Sequence, residues 1–382
     1  APAPAAPGAP PLPPPVLGVL AVGLVLSVGT FVMLSRRRAP RVPQAIDPEL
    51  SASHPSSIGR YTLVERIGLG GMAEIYAAVT SGEGNFRRPV VIKRLRPELA
   101  IDPNAVAQFC DEANLLAAFH HPNIVSVYDF GRWRNQYFLA EEYVAGRDLG
   151  RVISACLARH GSALSVEVVA YVAHELLKAL DYAHSLENEQ GRPLGIVHRD
   201  VSPDNVMISP RGEVKLLDFG VVKAAEGRAT KTEMGVVKGN VTYMAPEQAR
   251  GLEVDNRADL FSLALVIYHA CVGQPLYTAH TTYSLLMKAA AGPGADGQAA
   301  IDRLPAPLAA VVRRATDLEL DRRYRTARDM AADLESWVGH GATHIAGLLA
   351  DLFGPELKSE AHTLATFPMT GSAETVSRAS TR

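Results

Sequence analysis

The chain has 382 residues, 38 lysines and arginines against 40 aspartates and glutamates, a formal charge of −2, and 47% apolar residues. The length exceeds one average domain and the apolar fraction fills a sizeable core. The near-neutral charge gives no electrostatic basis for nucleic-acid binding, and Cys110, Cys156 and Cys271 lack metal-ligand spacing, so reduced, packed thiols are expected.

The chain opens on Ala1 rather than Met, which suggests a fragment or a processed form, and residues 1–15 are Ala/Pro-rich and expected to be disordered or polyproline-like. Val16 to Leu34 is a run of 19 uncharged residues. At about 1.5 Å per residue it reaches ~28 Å, close to the ~30 Å hydrocarbon core of a bilayer, so a transmembrane helix is expected. Arg36, Arg37 and Arg38 follow, which puts the C-terminal side in the cytoplasm. A signal peptide fits less well, because the charges come after the apolar run. Gly23 and Ser27 form a small-xxx-small pair that would let two copies of this helix meet as a homodimer, although small residues are common in any membrane helix. Residues 35–59, with Pro40, Pro43, Pro48 and Pro55, read as a juxtamembrane linker.

From Tyr61 to Ile67 the pattern is strand-like, followed by Gly68-Leu69-Gly70-Gly71 and a second strand through Ile75 and Tyr76. A glycine turn between two strands lets backbone amides approach phosphates. A dinucleotide-binding βαβ unit would need a helix directly after the glycines, and here a strand follows. Val90-Val91-Ile92 is a buried-type strand carrying Lys93, and a lysine there needs a partner or a ligand. Asn104 to Phe119 reads as a helix bearing Glu112, and a Lys93–Glu112 ion pair is expected to aim the lysine at the α- and β-phosphates.

Together with His121-Pro122-Asn123-Ile124-Val125, these features resemble the Hanks-type (eukaryotic-like) bacterial serine/threonine protein kinases, over about Arg60 to Trp337. The resemblance implies an α+β, two-lobed protein-kinase fold over 60–338, behind the expected N-terminal transmembrane helix, with 339–382 as a C-terminal helix and tail. It implies ATP and Mg²⁺ as cofactors and proteins as substrates. Ile67, Gly68, Gly70, Gly71, Ile75 and Lys93 would surround the nucleotide, and Glu142 and Val144 would bond adenine through their backbones. Glu141 falls at a position that is usually apolar in this family, where burial would be costly for a carboxylate or would raise its pKa.

Val166 to His184 has helical apolar spacing, with His174 and His184 read as packing or surface residues, and Ser185 to Gly195 as an exposed loop. In His198-Arg199-Asp200, Asp200 would orient the substrate hydroxyl as catalytic base, while Asn205 and Asp218, of Asp218-Phe219-Gly220, would ligate Mg²⁺. Two departures stand out. Ser202 replaces the family's usual lysine, and Asn240 its usual threonine, which suggests one altered network around Asp200. Ala73 replaces the third glycine of the phosphate loop. A pseudokinase scaffold is the alternative that Ser202, Asn240 and Glu141 support, while the extra methyl of Ala73 is a small change that should not block ATP. A small-molecule kinase fits less well, because Ala245-Pro246-Glu247, with Arg323 as partner of Glu247, is a protein-kinase feature, as is Asp259 anchoring the catalytic loop. Thr230 and Thr232 are candidate autophosphorylation sites that Arg199 would receive. Ile345, Leu348, Leu349, Leu352 and Phe353 predict a final helix docked on the large lobe, and the Ser/Thr-rich sequence from Thr363 is expected to be disordered.

Overall fold

A computed structural model describes residues 57–83, 86–188, 190–219 and 240–368. The run 16–34 and the threonines Thr230 and Thr232 lie outside the described residues. Among the described residues no helix is long and apolar enough to cross a membrane.

The small lobe is a six-stranded antiparallel sheet in the order β1-β2-β3-β4-β6-β5: β1 (Ser57–Ile58), β2 (Tyr61–Leu69), β3 (Ala73–Ser81), β4 (Arg87–Leu95), β5 (Val127–Trp133) and β6 (Gln136–Glu142). Successive strand residues face opposite sides. Tyr76 and Ala78, Val90 and Ile92, and Phe138 and Ala140 therefore pack on one face with Ile58 and Tyr61. Ile75 and Ala77, Val91 and Lys93, and Leu139 and Glu141 take the other face, and this alternation puts two charged groups beneath the sheet. Helix α1 (Pro103–Ala117) completes the lobe, with Asp102 accepting from the Asn104 amide as N-cap and Pro103 at the first turn.

The large lobe is helical. Its centre is α3 (Val166–His184), which begins at a Ser165 cap and buries Leu176, Leu177 and Leu180. Around it lie α2 (Leu149–His160), α4 (Pro246–Ala249), α5 (Arg257–Val272), α6 (Thr282–Ala291), α7 (Gly294–Ile301), α8 (Ala306–Ala315) and α9 (Ala327–Leu334). Helix α5 is apolar on nearly every side and is buried accordingly. A small sheet of β7 (Arg147–Asp148), β8 (Val206–Ile208) and β9 (Val214–Leu216) carries the loops that face the cleft. A Cβ at Gly146 would overlap the Ile208 carbonyl, so only glycine lets the interlobe connection come this close to β8.

The final helix, α10 (Gly341–Thr366), is longer than the sequence pattern predicts. Ile345, Leu349 and Phe353 dock on the large lobe as expected. The helix then continues through Pro355 and past Thr363, where disorder was expected, because its far end finds partners. Leu364 is buried with Ala77 and Val79, against Val64 and Tyr143. Arg147 donates to Glu360 at 2.7 and 2.9 Å, and Arg87 donates to the carbonyls of Ala365 (3.0 Å) and Phe367 (3.2 Å). The arginine thus satisfies end carbonyls that the helix itself leaves open. One helix touches both lobes beside their connection.

Candidate active site

The catalytic loop is fixed from below by one carboxylate. Asp259, on the first turn of α5, accepts the amides of His198 and Arg199 at 2.8 Å each and the His184 Nε2 at 2.8 Å. Burial pushes this carboxyl up, but the bonds it accepts from the His184 ring and the His198 amide help to outweigh it and hold it below its ordinary value. Asp259 therefore anchors the loop as predicted, while His184, read from sequence as packing or surface, is its third partner.

His198 is wholly buried. Its Nδ1 accepts the Asp200 amide (3.2 Å), and its Nε2 donates to the Leu217 carbonyl (2.8 Å), an assignment that requires a neutral ring. Burial holds its pKa below the ordinary value against the pull of Asp259. The ring also lies 4.5 Å from the Phe219 ring, which in turn lies 4.6 Å from Phe119 just beyond α1. His198 thus ties the Asp200 loop to the Asp218 segment. Arg199 and Asp218 both have positive φ, 64° and 47°, which is costly for non-glycine residues and is kept where surrounding bonds hold it.

Asn205 donates its Nδ2 to the Asp200 carbonyl (2.8 Å), and its own carbonyl accepts the Leu217 amide (2.8 Å). These bonds bring Asp200, Asn205 and Asp218 together at the cleft. Asn240 approaches Asp200 through its backbone, the amide lying 3.4 Å from the Asp200 Oδ1. Its side chain instead caps the turn Val241–Tyr243 by accepting the Thr242 amide at 3.3 Å. Ser202 is buried, and its carbonyl accepts the Asn205 amide at 3.1 Å. Among the described residues no hydrogen bond joins Asn240 to Ser202, and Asn240 meets Asp200 through its backbone amide.

The segment closing this region is held as predicted. Arg323 makes a two-pronged pair with Glu247 at 2.8 and 3.0 Å, both residues buried. Gln248, which sequence reasoning missed, accepts the Ala245 amide and donates to the Arg199 carbonyl, both at 3.1 Å, linking this segment to the catalytic loop.

The pairing of Lys93 differs from the sequence expectation. Its ammonium donates to Glu141 Oε1 at 2.9 Å and also bonds Asp218, and among the described residues no salt bridge joins it to Glu112. The sheet register explains this. Lys93 lies opposite Leu139, and Glu141 is two residues further along β6, on the same face and within diagonal reach. Burial pulls Lys93 down, but Asp218, Glu141 and Glu112 outweigh it and hold the ammonium charged, above the ordinary lysine range. Burial pushes Glu141 up, opposed by Lys93 and reinforced by Asp218.

Glu112, half-buried and without this partner, is pushed up to about 7 by burial, with Lys93 opposing and Asp218 and Glu141 adding. A carboxyl whose folded pKa lies above its unfolded value costs stability as pH rises from the unfolded pKa to the folded one, and the cost is complete above the folded pKa. Glu112→Gln is therefore expected to stabilise the protein by about 1–3 kcal/mol at pH 8 and by nothing at pH 4. Urea melts at the two pH values check this; equal effects at both would contradict the raised pKa.

The residues present fit a nucleoside triphosphate with a divalent cation. Three carboxylates around one ammonium leave excess negative charge beside the Asp218 side chain, which is 40% exposed. Asn205 and Asp218 supply the oxygen donors that a hard cation takes. The glycine turn is closed by the Gly70 amide donating to the Ala73 carbonyl at 2.8 Å, and a Cβ on Gly70 would stand 3.3 Å from that oxygen. Ile67 is exposed and Ile75 half-buried, an apolar pair beside the glycines, with Gly68 packed on Ile75 and Gly71 completing the turn. Strand β6 ends at Glu142, so Val144 follows outside the ladder. The Glu142 amide donates to the Ser126 carbonyl, and its carboxylate accepts from Lys215 at 2.9 Å.

A strand lobe with a glycine turn and a paired lysine, set over a helical lobe with Asp200, Asn205 and Asp218 at one cleft, defines a nucleotide-dependent phosphotransferase fold. Residues 61–303 match the family model described as "Protein kinase domain", and the chain belongs to that family. Its relatives include bacterial serine/threonine kinases of the Hanks type. The chain is 35% identical over 280 residues to the serine/threonine-protein kinase PknB of Mycobacterium tuberculosis, covering 72% of this chain and 42% of PknB. It is 38% identical over 320 residues to the tyrosine-protein kinase MasK of Myxococcus xanthus, covering 82% of this chain and 49% of MasK. The chain thus spans about half the length, or less, of these relatives. The crystal structure of the Mycobacterium tuberculosis PknI kinase domain superposes with a TM-score of 0.52 at 27% identity, over 74% of this chain and 97% of that one.

Proposed function

We infer that this chain transfers the γ-phosphoryl group of ATP to serine or threonine hydroxyls of protein substrates, using Mg²⁺, from the cytoplasmic face of a membrane that residues 16–34 anchor it to. The observation that carries the transfer reaction is the convergence of Asp200, Asn205, Asp218 and Lys93, with Asn205 bonded to the Asp200 carbonyl and Lys93 to Asp218. ATP with its cation supplies the activated phosphoryl group and neutralises the charge that develops on it. Asp200 orients the acceptor hydroxyl and takes its proton. Lys93 holds a fixed positive charge, and the glycine turn leaves room for phosphate oxygens. Asn205 and Asp218 would hold the cation through their side-chain oxygens.

The anchoring rests on the length and flanking charge of 16–34. Regulation by autophosphorylation rests on Thr230 and Thr232 lying between Asp218 and Glu247, with Arg199 beside the base. A second reading, transfer to tyrosine, has a specific support in the likeness to MasK together with Ser202 in place of lysine. Incubation of the purified chain with Mg²⁺, ATP and a mixed basic protein substrate, followed by mass spectrometry, separates them. Phosphoserine and phosphothreonine on substrate, and phosphate on Thr230 or Thr232, are expected. Phosphotyrosine alone would overturn the acceptor, and no phosphate above an Asp200→Asn control would favour a scaffold.

A further inference from the structure

The Lys93 ammonium touches two carboxylates of different character. Asp218 is 40% exposed and sits at a backbone conformation with positive φ, and a cation would compete with Lys93 for its oxygens. Glu141 has its side chain 7% exposed and lies in the middle of the sheet, on a strand hydrogen-bonded to the one that carries Lys93. Among the described residues the only hydrogen-bond or salt-bridge partner of its side chain is Lys93. An isolated carboxylate at that depth would be strongly unfavourable, so the pair persists or the acid protonates. Glu112 stands on α1, an element that is not part of the ladder, and it forms no salt bridge with Lys93.

We propose that Glu141 is the positioning residue for Lys93, taking the place that the family resemblance assigns to Glu112. The lysine is then aimed by two adjacent strands rather than by a helix. Its bond to Glu141 is set by the pairing of β4 with β6 and does not involve α1, so displacement of α1 would leave that bond in place. Glu112 contributes its charge at a distance and, half-protonated near neutrality, adds less to the field at the phosphate site than a bonded carboxylate would. This assignment deepens the phosphotransferase reading above and concerns a contact present before any nucleotide binds.

The test uses the full purified chain with ¹⁵N-labelled lysine and no nucleotide. A buried ammonium held by two carboxylates exchanges its protons slowly enough to give a ¹H–¹⁵Nζ correlation, assigned to Lys93 by its loss in Lys93→Arg. The correlation is expected in wild type and in Glu112→Gln, and is expected to vanish in Glu141→Met. Glu141→Gln, nearly isosteric, serves as a second variant and is expected to shift or broaden the signal. A thermal melt shows whether each variant is folded. In steady-state assays Glu141→Met is expected to lose about 10²-fold in kcat with a much smaller change in the KM for ATP, as for a misplaced charge, and Glu112→Gln to lose less. Loss of the correlation in Glu112→Gln with retention in a folded Glu141→Met would overturn the proposal, as would wild-type kcat in folded Glu141→Met. A wild-type chain with no phosphoryl transfer would defeat the functional reading alone, because the correlation still decides which acid holds the lysine.

Discussion

Asp200→Asn is expected to lower kcat for phosphoryl transfer by about 10²–10⁴-fold, the range for loss of a positioned base. The side chain keeps its shape and an oxygen that can still accept the Asn240 amide, and the backbone bonds at this position, the Asp200 amide to His198 and the Asn205 side chain to the Asp200 carbonyl, do not depend on the carboxylate. The loop and the cleft are thus preserved in the variant, and nucleotide affinity, read by titration of a fluorescent ATP analogue, is expected to stay within about threefold, since an interaction made only in the transition state appears in kcat. A parallel collapse of affinity would mean that Asp200 shapes the nucleotide site instead. Retained kcat would remove it from the chemistry.

The largest effect on stability is expected at Arg323. Its guanidinium is fully enclosed, lies over the Phe261 ring at 4.8 Å, donates to the Asp317 carbonyl at 2.7 Å, and pairs with Glu247 through both nitrogens. Arg323→Met leaves the Glu247 carboxylate buried without its partner, which costs about 3–5 kcal/mol in a denaturant melt. The pair itself is a different matter, because much of its attraction is spent against desolvation. Replacing Arg323 and Glu247 together by Met is therefore expected to be less damaging than Arg323→Met alone. Additive losses in the double variant would show that the two residues do not act on each other. Glu247 follows Pro246 at the start of α4, and Gln248 reaches the Arg199 carbonyl from the same turn, so loosening the pair is also expected to reach the catalytic loop.

Much of the site is legible in the sequence because its chemistry demands particular residues at short spacing. Asp200 and Asn205 lie five positions apart in one loop, and Asp218 follows the β8–β9 hairpin, so local order alone groups them. Asp259 and the Glu247–Arg323 pair were legible through the family resemblance rather than through spacing, and their geometry agrees with it. The partner of Lys93 was not legible. Nothing in the sequence states that β4 pairs with β6 so that Val91 lies opposite Glu141, and one residue of slip would turn Glu141 to the other face. The available signal was the charge itself, a carboxylate in an apolar strand that had to find an ammonium.

His184 and α10 illustrate two other limits. His184 sits on a helix whose spacing predicts packing, and its bond is to Asp259, distant in sequence, which periodicity does not reveal. In α10 the apolar pattern runs from Ile345 to Phe353 and then meets Gly354 and Pro355, both unfavourable inside a helix. The helix continues because Arg147, Arg87 and the apolar contacts of Leu364 outweigh that local preference. Tertiary contacts decided both cases.

The most direct measurement is transfer of label from γ-³²P-ATP to a basic protein substrate by the purified chain with Mg²⁺, with Asp200→Asn as the blank. Label that rises with time and enzyme concentration well above the blank, and falls to it when Mg²⁺ is chelated, is the expected result. Label at the level of the blank, in a chain that melts cooperatively and binds nucleotide, would contradict catalysis at this site.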